Sequence, residues 1–233
     1  CRSDVVVIES DERYAQYTFR YFQPTHYVIP NLYRDQLTRN GHPQWVYKAI
    51  EPSIGPDCTL ILNADDPLVS LFGRGRPNRV VWFGMDRQSF STDHSTGIYD
   101  DGKYCPLCRA PMAYDYYHYN HIGAYRCTRC DFRRPETAFT ITDADLDAGF
   151  LTINGKDRIE LAFKSIYNVY NILACYTVCA LAGVDGGDIA RSISHYVLKN
   201  GRIVNWQYHT MRGTLLASKH ENSVSYDQSL RYT

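Results

Sequence analysis

The 233-residue sequence predicts an α/β fold, a mostly parallel sheet flanked by helices and interrupted by an inserted ribbon built on four cysteines. Three observations carry this. Residues 4–9, 27–31, 59–63 and 79–83 are short β-branched or aliphatic runs that read continuously apolar, as strands buried on both faces do. Stretches of helical character at 12–21, 37–50 and 67–72 lie between them, and strands alternating with helices favour parallel βαβ units. From 104 to 134 the composition turns to Cys, Tyr, Arg and His, with no aliphatic run that fits the sheet, which marks a self-contained insertion.

Taken in order, the DVVVIE run at 4–9 is expected to be the first core strand. Only three residues precede it, so sequence upstream of this strand is expected to be missing. Beyond the insertion, 138–155 and 157–163 alternate in hydrophobicity around turn residues, which predicts antiparallel strands continuing the sheet at one edge. A strongly apolar helix is expected over 165–183, ending at Gly183, and an amphipathic one over 185–199 with Asp188 near its start. Strands return at 205–209 and 214–217.

Lys plus Arg and Asp plus Glu each number 25, so no net field draws the chain to nucleic acid or an acidic membrane. No apolar run approaches the ~20 residues that span a bilayer, and no basic segment followed by an apolar stretch opens the chain. A cytosolic protein with reduced thiols is expected. Of the eight cysteines, Cys1, Cys58, Cys175 and Cys179 are scattered in apolar stretches, and the last two read as small core residues of one helix.

The other four, Cys105, Cys108, Cys127 and Cys130, form CPLC and CTRC separated by 18 residues. This spacing lets two tight knuckles present four thiolates tetrahedrally to Zn²⁺, and a complete thiolate shell points to a structural ion. Tyr114, Tyr116, Tyr117, Tyr119 and Tyr125 are expected to cover the small core, with His118 and His121 outside the metal shell. Arg109, Arg126, Arg129, Arg133 and Arg134, with the tyrosines, also suit phosphate contacts and base stacking, so a nonenzymatic module binding RNA or a protein partner is the alternative reading.

Polar groups fall at expected strand ends, where open α/β folds place ligands: Glu9, Asn31, and NADDP at 63–67. One such residue is usually a turn or cap; three in succession favour a shared pocket. The series IESDE, PNLYRDQL, NADDP, SIYNVYN and NGR resembles the central ATP-binding domain of the Mur ligases, a P-loop NTPase-like fold. The RDQL motif with a four-cysteine ribbon after NADDP is similar to the MurT-type branch of that family, over nearly the whole chain.

The resemblance implies ATP-dependent amidation of the D-glutamate α-carboxylate in the lipid II stem peptide, at the inner face of the membrane, with ammonia from a GatD-like glutaminase subunit. It implies that Glu9 helps hold Mg²⁺ and that Asn31 and Asp35 lie near the phosphates and metal. Asn168 and Asn171 would contact adenine, and Arg202 would approach the phosphates. The family's GKT phosphate loop and C-terminal domain are absent from this sequence, so the chain alone is expected to bind ATP weakly and to be inactive. Gln36 stands where most Mur ligases carry a metal-binding His, and Glu221 where a lysine is expected.

Overall fold

The computed structural model describes residues 4–34, 37–161, 165–196, 203–216, 226–227 and 230. In chain order its elements are α1 (Ala15–Thr18), β1 (His26–Ile29), α2 (Leu37–Asn40), α3 (Pro43–Ile50), β2 (Thr59–Asn63), α4 (Pro67–Ser70) and β3 (Val80–Met85). They continue with β4 (Met112–Tyr119), β5 (Ile122–Cys127), β6 (Phe139–Asp145), β7 (Phe150–Ile153), β8 (Asp157–Glu160), α5 (Ile166–Leu181), α6 (Gly186–Ser194), β9 (Ile203–Tyr208) and β10 (Met211–Leu216).

Successive strand residues point to opposite faces, and in β2 both faces are apolar. Ile61 joins Phe83, Met85, Ile141 and the α5 residues Val169, Tyr170 and Leu173 in one core, while Leu60 and Leu62 join Ile29, Val46, Ile50, Val69 and Phe72 in another. Helices therefore cover both sides of the sheet, as its continuously apolar strands require. Six strands run in the order β1-β2-β3-β6-β7-β8; the first four are parallel, and β6, β7 and β8 are antiparallel. The expected antiparallel edge is thus present. Its second hairpin turns on Asn154 and Gly155, with φ of 52° and 67°, the left-handed pair that a tight hairpin favours.

Two helices are shorter than expected, α1 holding only Ala15–Thr18 of 12–21 and α6 ending at Ser194, and two further expectations fail. Residues 4–9 form no strand, and Val5, Val6 and Val7 stand 66%, 73% and 88% exposed. Strand propensity takes effect only against a hydrogen-bonded neighbour, and this run has none among the described residues. The single helix expected over 37–50 is two, α2 and α3. Gly41, at φ 66°, ends the first in the left-handed region, and Pro43 opens the second behind a His42 cap that accepts from the Gln44 amide at 3.2 Å. Among the described residues β9 and β10 pair only with each other.

α5 ends as expected at Gly183 (φ 87°), with the Val184 amide returning to the Cys179 carbonyl at 3.1 Å. α6 is capped by Asp185, whose Oδ1 accepts from the Gly187 amide at 2.9 Å, and Asp188 sits in its first turn.

The β4–β5 hairpin is the body of the insertion, but its tip is not self-contained. Tyr119 and Ile122 are buried in the main core with Phe83, Ile141 and Tyr170. Ile122→Ala should therefore destabilise the whole domain by about 2–5 kcal/mol, seen as a lower urea midpoint at unchanged slope. A loss below about 1 kcal/mol would mean that the tip packs loosely.

Candidate functional site

The cysteines lie where two tight turns bring their sulfurs together. In the first knuckle the Cys105 amide donates to the Ala110 carbonyl at 2.8 Å, and Arg109 takes a left-handed φ of 60° to close the turn. In the second, the amides of Arg129 and Cys130 donate to Cys127 Sγ at 3.3 and 3.4 Å. All four sulfurs lie within 4.8 Å of one another, with Cys105 to Cys130 at 3.7 Å and Cys108 to Cys127 at 3.4 Å.

Sulfurs in a tetrahedral shell at ~2.3 Å from zinc stand about 3.8 Å apart, so this donor set fits the ion. The separations are too long for disulfides, whose bond is about 2 Å. By themselves the four thiols do not ionise alike. The Ala110 amide leads in drawing Cys108 down to about 6. Cys130 is pushed up to about 12, since burial and the neighbouring thiols outweigh the lowering effect of the Phe132 amide. A divalent cation removes that conflict by favouring all four thiolates. Tyr125 and Phe132 complete the small apolar cluster around the sulfurs.

The ribbon is joined to the end of β2 by a buried polar network that the sequence did not reveal. Asp65 is fully buried: it accepts from the Met85 amide at 2.7 Å and the Tyr170 hydroxyl at 2.7 Å, and it pairs with Arg134 of the ribbon. Its own carbonyl accepts from the Gly123 amide of β5 at 3.0 Å. Burial works against the Arg134 charge, but Asp65 outweighs it and holds the guanidinium above its ordinary pKa.

Asp66, equally buried, caps α4 through the Leu68 amide at 2.8 Å and reaches back to the Leu32 amide at 2.8 Å. Burial would raise its carboxyl, yet His121 of the hairpin tip and these amides hold it below the usual range. Asn63 donates to the Pro30 carbonyl at 2.9 Å and accepts from the Asp65 amide at 2.9 Å. NADDP thus serves as cap and clamp, and none of Asn63, Asp65 and Asp66 lines either cavity described below. These groups are engaged by backbone amides and ribbon side chains.

His118 and His121 lie outside the sulfur cluster, as expected. His118 Nε2 is 3.1 Å from the Met85 carbonyl, which only accepts, so Nε2 carries the proton and Nδ1 accepts from Ser91 Oγ at 3.0 Å. Burial lowers the pKa of this ring from its ordinary 6.5, against the pull of Asp65 and Asp86. The fold prefers the neutral form, so the stabilisation is fully present above about 6.5 and is lost as pH falls. The thermal midpoint should accordingly drop between about pH 7.5 and 5.5, and His118→Gln should flatten that slope. An unchanged slope in the variant would place the titration elsewhere.

Of the nucleotide residues expected from sequence, Asp35 and Arg202 lie outside the described residues, as does Gln36. Glu9 is exposed in the extended segment. Its neighbours Ile8 and Ser10, together with Asn31, Tyr27, Val28 and Ile29, line a cavity of about 620 Å³ along the open edge of β1. Asn168 and Asn171 share a second cavity of about 460 Å³ between α5 and α6, with Ile172, Cys175, Ile189 and Tyr196. Asn168 Nδ2 donates to Ser165 Oγ at 2.8 Å, and Asn171 Nδ2 donates to Asn168 Oδ1 at 3.4 Å, so the two amides act together. The two cavities have no lining residue in common.

Of the five ribbon arginines, Arg134 is drawn inward to the buried Asp65, whereas Arg126, paired with Asp115, and Arg129, bonded to the Cys108 carbonyl, stay exposed, as do Arg109 and Arg133.

No family model matches the chain. It is 33% identical over 204 residues, 87% of its length, to the lipid II isoglutaminyl synthase (glutamine-hydrolyzing) subunit MurT of Staphylococcus aureus, of which it spans 46%, about half. A pseudomurein peptide ligase type C from Methanothermus fervidus superposes with a TM-score of 0.77 over 94% of this chain and 43% of its own, at 24% identity. MurF from Acinetobacter baumannii does so with a TM-score of 0.57 over 93% of this chain and 39% of its own, at 15% identity. Over the residues matched, the chain is a homologue of the MurT subunits, built on the Mur ligase fold.

Proposed function

We propose that the chain is the central domain of an ATP-dependent amide ligase that converts the D-glutamate of the lipid II stem peptide to D-isoglutamine. The observation that carries this is the 33% identity to a MurT subunit across 87% of the chain. The apolar cavity with two adjacent amides, Asn168 and Asn171, supports it: a flat heteroaromatic base suits an apolar groove, and carboxamides pair with its ring edge.

In the reaction a carboxylate oxygen of D-glutamate attacks the γ-phosphorus of ATP and ADP leaves. Ammonia then attacks the acyl carbon, loses a proton, and expels phosphate carrying that oxygen. Asn31, Asp35 and Arg202 are assigned to the phosphate end. Glu9 would hold Mg²⁺, which neutralises phosphate charge when bound. One exposed carboxylate fits that ion, since magnesium usually takes one or two protein carboxylates and completes its shell with phosphate oxygens and water. Zn²⁺ in the ribbon is structural.

Ammonia would come from a partner, a GatD-like glutaminase, whose chemistry needs an activated thiolate. Four cysteines form the sulfur cluster and burial raises the thiol of Cys58; Cys175, expected in the core, is instead exposed on α5, where partial desolvation and the neighbouring Cys179 raise its thiol. Among the described residues no helix is long and apolar enough to cross a membrane. The domain would act from the cytoplasm on the head group of lipid II.

The test incubates the complete protein with lipid II, ATP and either ammonium chloride or glutamine, following amidated product by mass spectrometry. Amidation from concentrated ammonium, and from glutamine only when the glutaminase is added, is expected. Efficient amidation from glutamine by this polypeptide alone would refute the partner, and no amidation from any source would refute the ligase.

A further inference from the structure

The segment that carries Asn31 is held on both sides by groups outside the nucleotide residues. Before it, the Pro30 carbonyl accepts from Asn63 Nδ2; after it, the Leu32 amide donates to Asp66 Oδ2. At Arg34 the guanidinium forms a two-pronged pair with Asp101, Nε to Oδ2 at 2.8 Å and Nη2 to Oδ1 at 2.9 Å, and lies 4.6 Å from the Tyr99 ring centre. The Asp101 side chain is only 6% exposed. A two-pronged, largely buried pair of this kind fixes direction as well as distance.

Asp101 sits four residues before Cys105, and the intervening loop is fastened to the ribbon. The Gly102 carbonyl accepts from the Tyr114 hydroxyl at 3.1 Å, and the Met112 amide donates to the Lys103 carbonyl at 2.9 Å. Asp66, the other clamp, faces His121 of the hairpin tip at 3.6 Å. Every polar hold on residues 30–34 named here therefore comes from the end of β2 or from the approach to the ribbon.

We propose that Asp101 is a positioning residue: by clamping Arg34 it fixes the segment bearing Asn31, and it makes the order of that segment depend on the metal-loaded ribbon. This rests on the reading of Asn31 as a phosphate-end residue. The ribbon then acts as a brace across the sheet end, and the insertion has a task in the ligase beyond its own stability.

The test uses the complete protein with its glutaminase, and reads amide hydrogen exchange alongside ammonium-dependent amidation of lipid II. Asp101→Asn should keep one equivalent of metal and a thermal midpoint close to wild type. Exchange of the 31–34 amides should rise, and kcat should fall by between about ten- and a hundredfold at unchanged KM for lipid II, as expected for a misplaced group. Asp101→Glu should recover part of the kcat, while Asp100→Asn, a nearby exposed acid, should match wild type. Stripping the metal with a chelator should raise exchange of the same amides in wild type and add little in Asp101→Asn.

Should Asp101→Asn fail to fold, Arg34→Lys keeps the charge but loses the two-pronged geometry and carries the same expectation. Wild-type exchange at 31–34 in these variants, or a rise spread evenly over β2 and β3, would overturn the proposal. Selective loosening at 31–34 in a wild-type background that amidates nothing would uphold the clamp and refute the ligase reading instead.

Discussion

Cys108→Ser should cost the protein its bound metal, falling from one equivalent to none by elemental analysis, and should lower its thermal midpoint by about 10 °C or more. Structural zinc binding contributes apparent free energies of roughly 10–16 kcal/mol in zinc-finger peptides, where it is folding free energy. Only part of this is lost here, because the hairpin keeps its own contacts. A few kcal/mol remain, and for a domain of this size each shifts the midpoint by about 2–4 °C.

The damage should not stop at the ribbon. Tyr119 and Ile122 belong to the main core, and Arg134 and Gly123 hold Asp65. Hydrogen exchange should therefore rise at the end of β2 as well as in β4 and β5. Iron in place of zinc, or no metal in the wild type, would overturn the structural-zinc reading. Exchange confined to the ribbon would show that the Asp65 junction is weak.

The second large effect separates the two roles proposed for Glu9 and Asn168 in the complete protein. Glu9→Ala should lower kcat by roughly a hundredfold or more with ATP binding weakened far less, because a metal ion stabilises charge that develops in the transition state, an effect of several kcal/mol. Asn168→Ala should raise the ATP requirement with kcat nearly unchanged, since an adenine contact is made equally in ground and transition states. Asn171→Ala should give a smaller effect of the same kind, because Asn171 donates to Asn168 at 3.4 Å and is the more exposed of the two. Steady-state kinetics with varied ATP and Mg²⁺ would reveal a reversed pattern, which would exchange the two assignments.

How far the sequence foretold the structure follows from which signals are local. β2 matches its expected span of 59–63 because Leu60, Ile61 and Leu62 are apolar and both faces are covered, so period and burial agree. The cysteine knuckles were legible because metal geometry fixes ligand spacing within a few residues. The run at 4–9 misled because a strand depends on a neighbour, which no local pattern encodes.

Gly41 was overlooked as a helix break although its left-handed φ and the proline two residues on are the usual signature. The Asp65–Arg134–Tyr170 junction joins residues 69 and 105 positions apart, and the Arg34–Asp101 pair spans 67. Nothing in the sequence distinguishes Arg134 from the exposed arginines around it; only its packing against a buried aspartate does.

The proposed chemistry can be read from a single oxygen atom. Lipid II labelled with ¹⁸O in the D-glutamate α-carboxylate would be amidated by the complete protein with ATP and ammonium, and the inorganic phosphate analysed by mass spectrometry. Amidation through an acyl phosphate delivers one ¹⁸O to phosphate for each amide formed, with ADP as the other product. Unlabelled phosphate, or AMP and pyrophosphate beside the amide, would show that the carboxylate is not activated by phosphorylation.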